Sequence, residues 1–344
     1  MLISEFDYHL PPELIAQTPL PKRDRSRMMI CDRDTGEINH SHFFDIPKYL
    51  KKDDMLVLNS SKVIPAKVWG QKEDGRSIEF LFLKETSKNT WEVLCRPAKR
   101  VELGDEISFA KDTCGQVIGT EPEGKRVIRF PHGEVISLLK KTGFAPLPPY
   151  IKRKKKDILA RPEDLDRYQT VFARKDGSIA APTAGLHFTK ELLDELEEKG
   201  VTICELSLDV GQATFQPVRI HNVKDYRMLS ENYAISKETA KVINDGINAN
   251  HSITAVGTTS VRALESAYEG ASVRAGHFET ELFIFPGYEF KVVDRLLTNF
   301  HLPKSTLLML VSAFAGRDFI LRAYREAVRQ KYRFYSYGDC MLIL

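Results

Sequence analysis

The sequence predicts a mixed α/β major domain, built on a large mixed sheet, with a small β-barrel-like domain inserted into it. Three observations carry this prediction. The chain has 344 residues, more than the commonest single-domain size and enough for one large and one smaller unit. Short strand-like segments crowd the region from Lys67 to Phe130, and helix and strand patterns alternate through the rest, as they do in α/β bodies. The expected boundaries are 1–65 and 146–344 for the major domain and 66–145 for the insert.

Six segments of the insert read as strands: Lys67–Gln71, Ser77–Lys84, Thr90–Arg96, Glu106–Ala110, Gly115–Gly119 and Arg126–Phe130. They alternate or carry β-branched residues, and turn signals at Glu73–Arg76, Leu103–Asp105 and Glu121–Gly124 separate them, the spacing of a small barrel or sandwich. In the major domain Thr189 can cap a helix that shows Leu192, Leu193 and Leu196 on one face and stops at Lys199-Gly200. A strand over Val201–Leu208 follows. Ser236 can cap a second helix with Ala240, Ile243 and Ile247 on one stripe, and Ile253–Val256 reads as a buried strand before a third helix from about Ser260. Phe283–Phe285, Leu307–Val311 and Met341–Leu344 are apolar runs, and Asp318–Gln330 has helical spacing with Phe319, Ala323 and Ala327 aligned. No internal repeat is present.

Composition narrows the function classes. Apolar residues make up 42% and charged residues 28%, an ordinary globular balance. The longest apolar stretch, around Leu307–Ala315, is too short for a membrane span, and the N-terminus lacks the pattern of an export signal. Five scattered cysteines without a C-x-x-C pair fit a reducing compartment, so the cytoplasm is expected. A net charge of +3 excludes a general polyelectrolyte mode of nucleic-acid binding and leaves RNA contact to local patches. The run Lys152, Arg153, Lys154, Lys155 and Lys156, after the rigid Pro146–Pro149 segment, is the candidate. A solvated basic loop is its alternative reading.

Three segments hold polar groups that propensity does not explain. In Ala181–Thr189, Pro182 and Gly185 tighten a loop that could aim Thr183 and His187 at a cleft, and an imidazole suits general base work. A structural hydrogen-bonding histidine is the alternative. Val256–Arg262 reads as a strand, a glycine turn and a hydroxyl-rich helix start, where Thr258, Thr259, Ser260 and Arg262 could receive an anionic group. Simple capping competes with that reading. Thr298–Thr306 sets Asn299, His301 and Ser305 between two apolar runs, as pocket groups or as partners for buried backbone. The pair His40 and His42 has an H-x-H spacing but no third ligand, so no metal is expected.

With these segments in view, the chain resembles the S-adenosylmethionine:tRNA ribosyltransferase-isomerases of queuosine biosynthesis almost from end to end. The matching stretches are FDYHLPPELIAQ from Phe6, RDRSR from Arg23, LNSSKVIPA from Leu58, RYQTV from Arg167, APTAGLHFT from Ala181, VGTTS from Val256, FPGY from Phe285, TNFHLPKSTLLML from Thr298 and YRFYSYGD from Tyr332. The resemblance implies an α/β major domain with a β-rich insert. It implies S-adenosylmethionine as ribosyl donor and co-substrate, and as acceptor the aminomethyl group of 7-aminomethyl-7-deazaguanine at the tRNA wobble position. Adenine and methionine leave and epoxyqueuosine forms. On this basis His187 is expected to take the 5′ proton acidified by the sulfonium, His301 or Asp339 to assist adenine departure, and Arg262 with Thr258–Ser260 to hold the methionine carboxylate. Thr183, Asn299 and Ser305 complete the expected substrate site, and tRNA is the expected partner. No metal or redox cofactor is needed.

The departures from the family pattern fall in one region. Where the family reads H-V-G-x-G-T-F, this chain has Asp209 in place of the histidine and Ala213 in place of the second glycine; where it reads H-x-M-H-x-E, the histidines become Tyr226 and Leu229. An aspartate accepts where an imidazole can donate, and a leucine does neither. These changes leave open a diverged paralogue with another acceptor or cleavage reaction, or an RNA-binding homologue without turnover.

Overall fold

A computed structural model describes residues 1–131, 135–153, 163–211 and 221–344. A nine-stranded mixed sheet forms the body. Its order is Gly276–Thr280, Glu231–Ile235, Thr202–Leu208, Met55–Asn59, Ile253–Val256, Arg295–Asn299, Cys340–Ile343, Arg27–Cys31 and Ile38–His42. The four strands at its centre, from Thr202–Leu208 to Arg295–Asn299, run parallel. They are rich in Leu, Val and Ile and mostly buried, as strands covered on both faces must be.

The insert closes into a six-stranded barrel over Lys67–Lys72, Ser77–Ser87, Thr90–Arg96, Glu106–Ala110, Thr113–Thr120 and Lys125–Arg129, so the sequence reading of a small barrel holds. Its interior is packed by Phe80, Phe82, Phe109, Trp91 and Phe130, with rings 5.1–5.9 Å apart. Two glycines make room for them. A Cβ on Gly70 would stand 2.5 Å from Ile107, and one on Gly115 2.5 Å from Ile128.

The helices follow the capping signals. Thr189 and Ser236 each accept a backbone N–H at the start of helices Lys190–Glu198 and Lys237–Asn248. Helix Thr258–Ala267 starts two residues earlier than its hydroxyl pattern suggests, because Gly257 at φ 85° turns the chain there. The run Phe283–Phe285 is neither helix nor strand and packs on the core from a loop. Among the described residues no helix is long and apolar enough to cross a membrane, and the cysteines are free.

Candidate active site

The carboxyl ends of the parallel strands converge on a cleft, the usual ligand position of such sheets. Val210 follows strand Thr202–Leu208, Gly257–Thr259 follow Ile253–Val256, and Asn299–Leu302 follow Arg295–Asn299; all of them line it. The opposite wall comes from Ala180–Ala184 and from Tyr150, Tyr168, Tyr335 and Ser336. The cleft is partly open to solvent.

Local chemistry fixes each wall. In the turn Thr183–His187, Gly185 N–H donates to the Pro182 carbonyl at 2.8 Å, and a Cβ on Gly185 would lie 2.6 Å from Phe172, so glycine alone fits. Helix Thr258–Ala267 presents its first turn to the cleft, where Asn59 Nδ2 donates to Thr259 Oγ1 at 3.3 Å. Ser305 caps helix Thr306–Ala315 by accepting from Leu308 N–H at 3.2 Å. Asn299 Nδ2 donates to the Tyr335 carbonyl at 3.0 Å. Tyr335 itself sits at φ 70°, a conformation costly for a bulky residue and concentrated at functional sites. Its ring packs 4.6 Å from Tyr150.

His301 is held on three sides. Its Nε2 meets Thr298 Oγ1 at 2.9 Å, its backbone N–H donates to Tyr324 OH at 3.0 Å, and Tyr8 OH donates to its carbonyl at 2.5 Å. Burial pushes the imidazole down to about 3, so it is neutral near pH 7. Tyr335 OH is buried in the cleft without a hydrogen-bond partner, whereas the Asn299 side chain bonds His187 and Tyr168 bonds Ser336 and Ala181.

Of the residues singled out from sequence, Thr183, Thr258, Thr259, Asn299, His301 and Ser305 line this cleft together, while four do not. His187 lies behind the wall. Its Nδ1 is 2.6 Å from Ser26 Oγ, its ring leans on Phe43, and the Asn299 side chain hydrogen-bonds the imidazole. Burial lowers its pKa to about 4, Asn299 opposes the shift, and the charges of Arg23 and Arg333 add to it. Ser260 Oγ bonds back to the Val256 carbonyl at 2.8 Å. Arg262 is buried and ion-paired with Glu231, and its Nε donates to the Leu282 carbonyl at 2.9 Å. Asp339, 1% exposed, accepts from Arg27 N–H at 2.9 Å and Arg333 N–H at 2.8 Å. The polar groups of Ser260, Arg262 and Asp339 are engaged within the fold, and His187 stands behind the cleft wall.

Arg153 forms a bidentate pair with Asp164 at 2.8 and 3.0 Å, and Lys152 is exposed. Lys154, Lys155 and Lys156 lie outside the described residues, as does Ala213. Asp209 opens on a separate cleft with Lys175, His277 and Glu279. Tyr226 packs on Phe283, with ring centres 5.1 Å apart, and Leu229 is exposed. His40 and His42 find Tyr332 OH and the Phe44 ring, and among the described residues no group of three His, Cys, Asp or Glu could hold a metal. Sequence reading missed Ser26, Tyr150, Tyr168, Glu231 and Tyr335. Only the aromatic run from Tyr332 signalled any of them.

The two neutral histidines predict an acid-sensitive fold. An unfolded imidazole takes a proton near 6.5, whereas folded His187 and His301 resist it down to about 4 and 3. The unfolded chain therefore binds more protons in that window, and stability falls as pH drops from about 6.5 towards 4. The His187 contribution is on the order of 3 kcal/mol. The melting temperature of His187→Gln should fall less steeply over this range than that of the wild type. Equal slopes would mean that His187 is protonated in the folded chain.

The fold and cleft define a class: a mixed-sheet enzyme with a cleft at the ends of its parallel strands and a closed barrel inserted in the chain. The chain belongs to the queuosine biosynthesis protein family, whose model matches residues 3–343. It is 50% identical to the S-adenosylmethionine:tRNA ribosyltransferase-isomerase of Moorella thermoacetica over the full length of both chains. It is 48% identical to the enzyme of the same name from Clostridium kluyveri, again over both full lengths. A crystal structure of the S-adenosylmethionine tRNA ribosyltransferase of Thermotoga maritima is 39% identical and covers 99% of this chain and all of its own, with a TM-score of 0.56.

Proposed function

We propose that this enzyme transfers and isomerises the ribosyl group of S-adenosylmethionine onto 7-aminomethyl-7-deazaguanine at the wobble position of tRNA. The products are epoxyqueuosine-tRNA, adenine and methionine, and the reaction is cytoplasmic. Supporting this reading, beside the relatives' names, is the cleft: a neutral imidazole and a partnerless Tyr335 hydroxyl line a cleft at the carboxyl ends of the parallel strands, the usual ligand position of such sheets.

We assign the base to His301. The sulfonium acidifies the adjacent 5′ C–H, and a neutral imidazole can accept that proton. A pKa of about 3 in the empty cleft does not disqualify it. The transfer moves one positive charge from sulfonium to imidazole and creates none, so the burial penalty behind that low value is already present in the bound substrate. The ylide carbanion expels the ring oxygen from C4′, that oxygen forms the C1′ carbonyl as adenine leaves, and the proton held by the imidazole passes to adenine. The amine of the acceptor base, neutral when it attacks, then bonds to the ribosyl carbons and methionine departs. The backbone N–H groups of Thr258 and Thr259 at the helix start suit the methionine carboxylate. Asn299 and the tyrosine wall suit the heterocycle.

The departures favour the usual reaction over a changed acceptor. Asp209, Tyr226 and Leu229 stand outside the cleft lining, and the first two lie in the field of Glu231. Incubation with labelled S-adenosylmethionine and wobble-modified tRNA should release adenine and methionine in equal amounts with one modified nucleoside. Chelation should leave the yield unchanged. Cleavage of the donor independent of tRNA would overturn the reading.

A further inference from the structure

Three arginines close on one stretch of chain that the cleft chemistry does not use, and a fourth lies at its end. Arg153 donates to the Gln17 carbonyl at 2.9 Å, Arg333 to Thr18, and Arg167 to Leu20 and Pro21, the latter at 3.1 Å. Arg23, next along this stretch, donates to the carbonyls of Asp166 at 2.7 Å and Leu186 at 3.3 Å. Arg153 has its carboxylate in Asp164. Among the described residues Arg23, Arg167 and Arg333 make no ion pair. They hold neutral carbonyls, although a guanidinium is matched far better by an anion.

Two donors are left over. Arg167 Nε and Arg333 Nη1 are buried without a partner, a costly state for charged groups. Burial and the charge of Arg167 both work against the Arg23 cation, and burial alone works against that of Arg333. Asp339 lies near Arg333 but is already engaged by two backbone N–H groups, and Asp166 is exposed beside Arg23.

The cluster borders the cleft. Arg167 precedes Tyr168 and Arg333 stands two residues before Tyr335, both of which line it; Gln17 Nε2 donates to the Tyr150 carbonyl at 3.0 Å. Outward it continues into exposed Lys22, Arg25 and Lys152. We infer that Arg23, Arg167 and Arg333 form a phosphodiester-binding site that holds the RNA backbone next to the nucleotide whose base enters the cleft. This rests on the tRNA reading above. Three cations on the rim, continuous with a basic strip, match a chain of phosphates better than the single carboxylate of the donor.

Arg23→Gln and Arg167→Gln, singly and together, test it through tRNA affinity against salt, S-adenosylmethionine affinity by calorimetry, and melting temperature. Each variant should weaken tRNA binding by about tenfold at low salt. It should reduce the slope of log affinity on log salt by about 0.7–0.9 per lost contact, with donor affinity within twofold. Arg167→Lys should recover most of the slope, because the charge remains. An unchanged slope with a lowered melting temperature would make the arginines structural clamps. An unchanged slope with weakened donor binding would assign them to the methionine carboxylate. Either result overturns the site while wild-type turnover on tRNA stands; a wild-type protein that neither binds nor modifies tRNA would instead remove the reading beneath it.

Discussion

His301→Gln should lower tRNA-dependent adenine release by a hundredfold or more while S-adenosylmethionine still binds within a few-fold. The size follows from losing a positioned proton acceptor, commonly worth a factor of a hundred to ten thousand. Glutamine is the informative replacement, since it can still meet Thr298 Oγ1 through its amide and leaves Tyr8 and Tyr324 their main-chain contacts. Solvent-deuterium exchange at the 5′ position separates the possible roles. A base is needed before any bond to adenine breaks, so exchange should vanish with turnover. If exchange survived while adenine release stopped, His301 would serve the leaving group instead. Full turnover by a folded variant would return the base to a residue outside the cleft, such as His187.

His187 shows why this choice could not be made from sequence. Its loop reads correctly: Pro182 and Gly185 do tighten a turn against the cleft, and Thr183 and Ala184 face it. The ring itself packs on Phe43 and Ser26, residues 144 and 161 positions earlier in the chain, and stands behind Asn299. Nothing local encodes that direction. The same holds for Arg262, whose partner Glu231 comes from a strand 31 residues upstream, and for Asp339, whose two donors belong to Arg27 and Arg333.

What was legible obeyed short-range rules. The caps at Thr189 and Ser236, the six barrel strands and the helix Arg317–Arg329 depend on side-chain period and on residues three or four positions apart. The early strands Arg27–Cys31 and Met55–Asn59 lacked a period to read, because strands buried on both faces show an unbroken apolar run. The tyrosine wall combined both difficulties. Tyr150, Tyr168 and Tyr335 meet only in three dimensions, and an aromatic residue far from others reads as core.

Arg262→Met should destabilise the major domain by about 3–5 kcal/mol, because it leaves the Glu231 carboxylate buried and unpaired. For a chain of this size that is a fall of on the order of 5–10 °C in melting temperature. Glu231 retains one donor, Gly211 N–H at 2.9 Å, which cannot balance a full charge. Adding Glu231→Gln removes the charge while keeping an acceptor for that N–H, so the double variant should regain most of the loss. The cycle therefore reports coupling between two side chains and not the worth of either alone. Donor binding provides the contrast. If Arg262 only braces the fold, calorimetry below the melting range should give near-normal S-adenosylmethionine affinity for both the single and double variants. A folded Arg262→Met protein with an unchanged melting temperature and lost donor binding would restore Arg262 to the methionine carboxylate. It would also require its pairing with Glu231 to break when substrate enters.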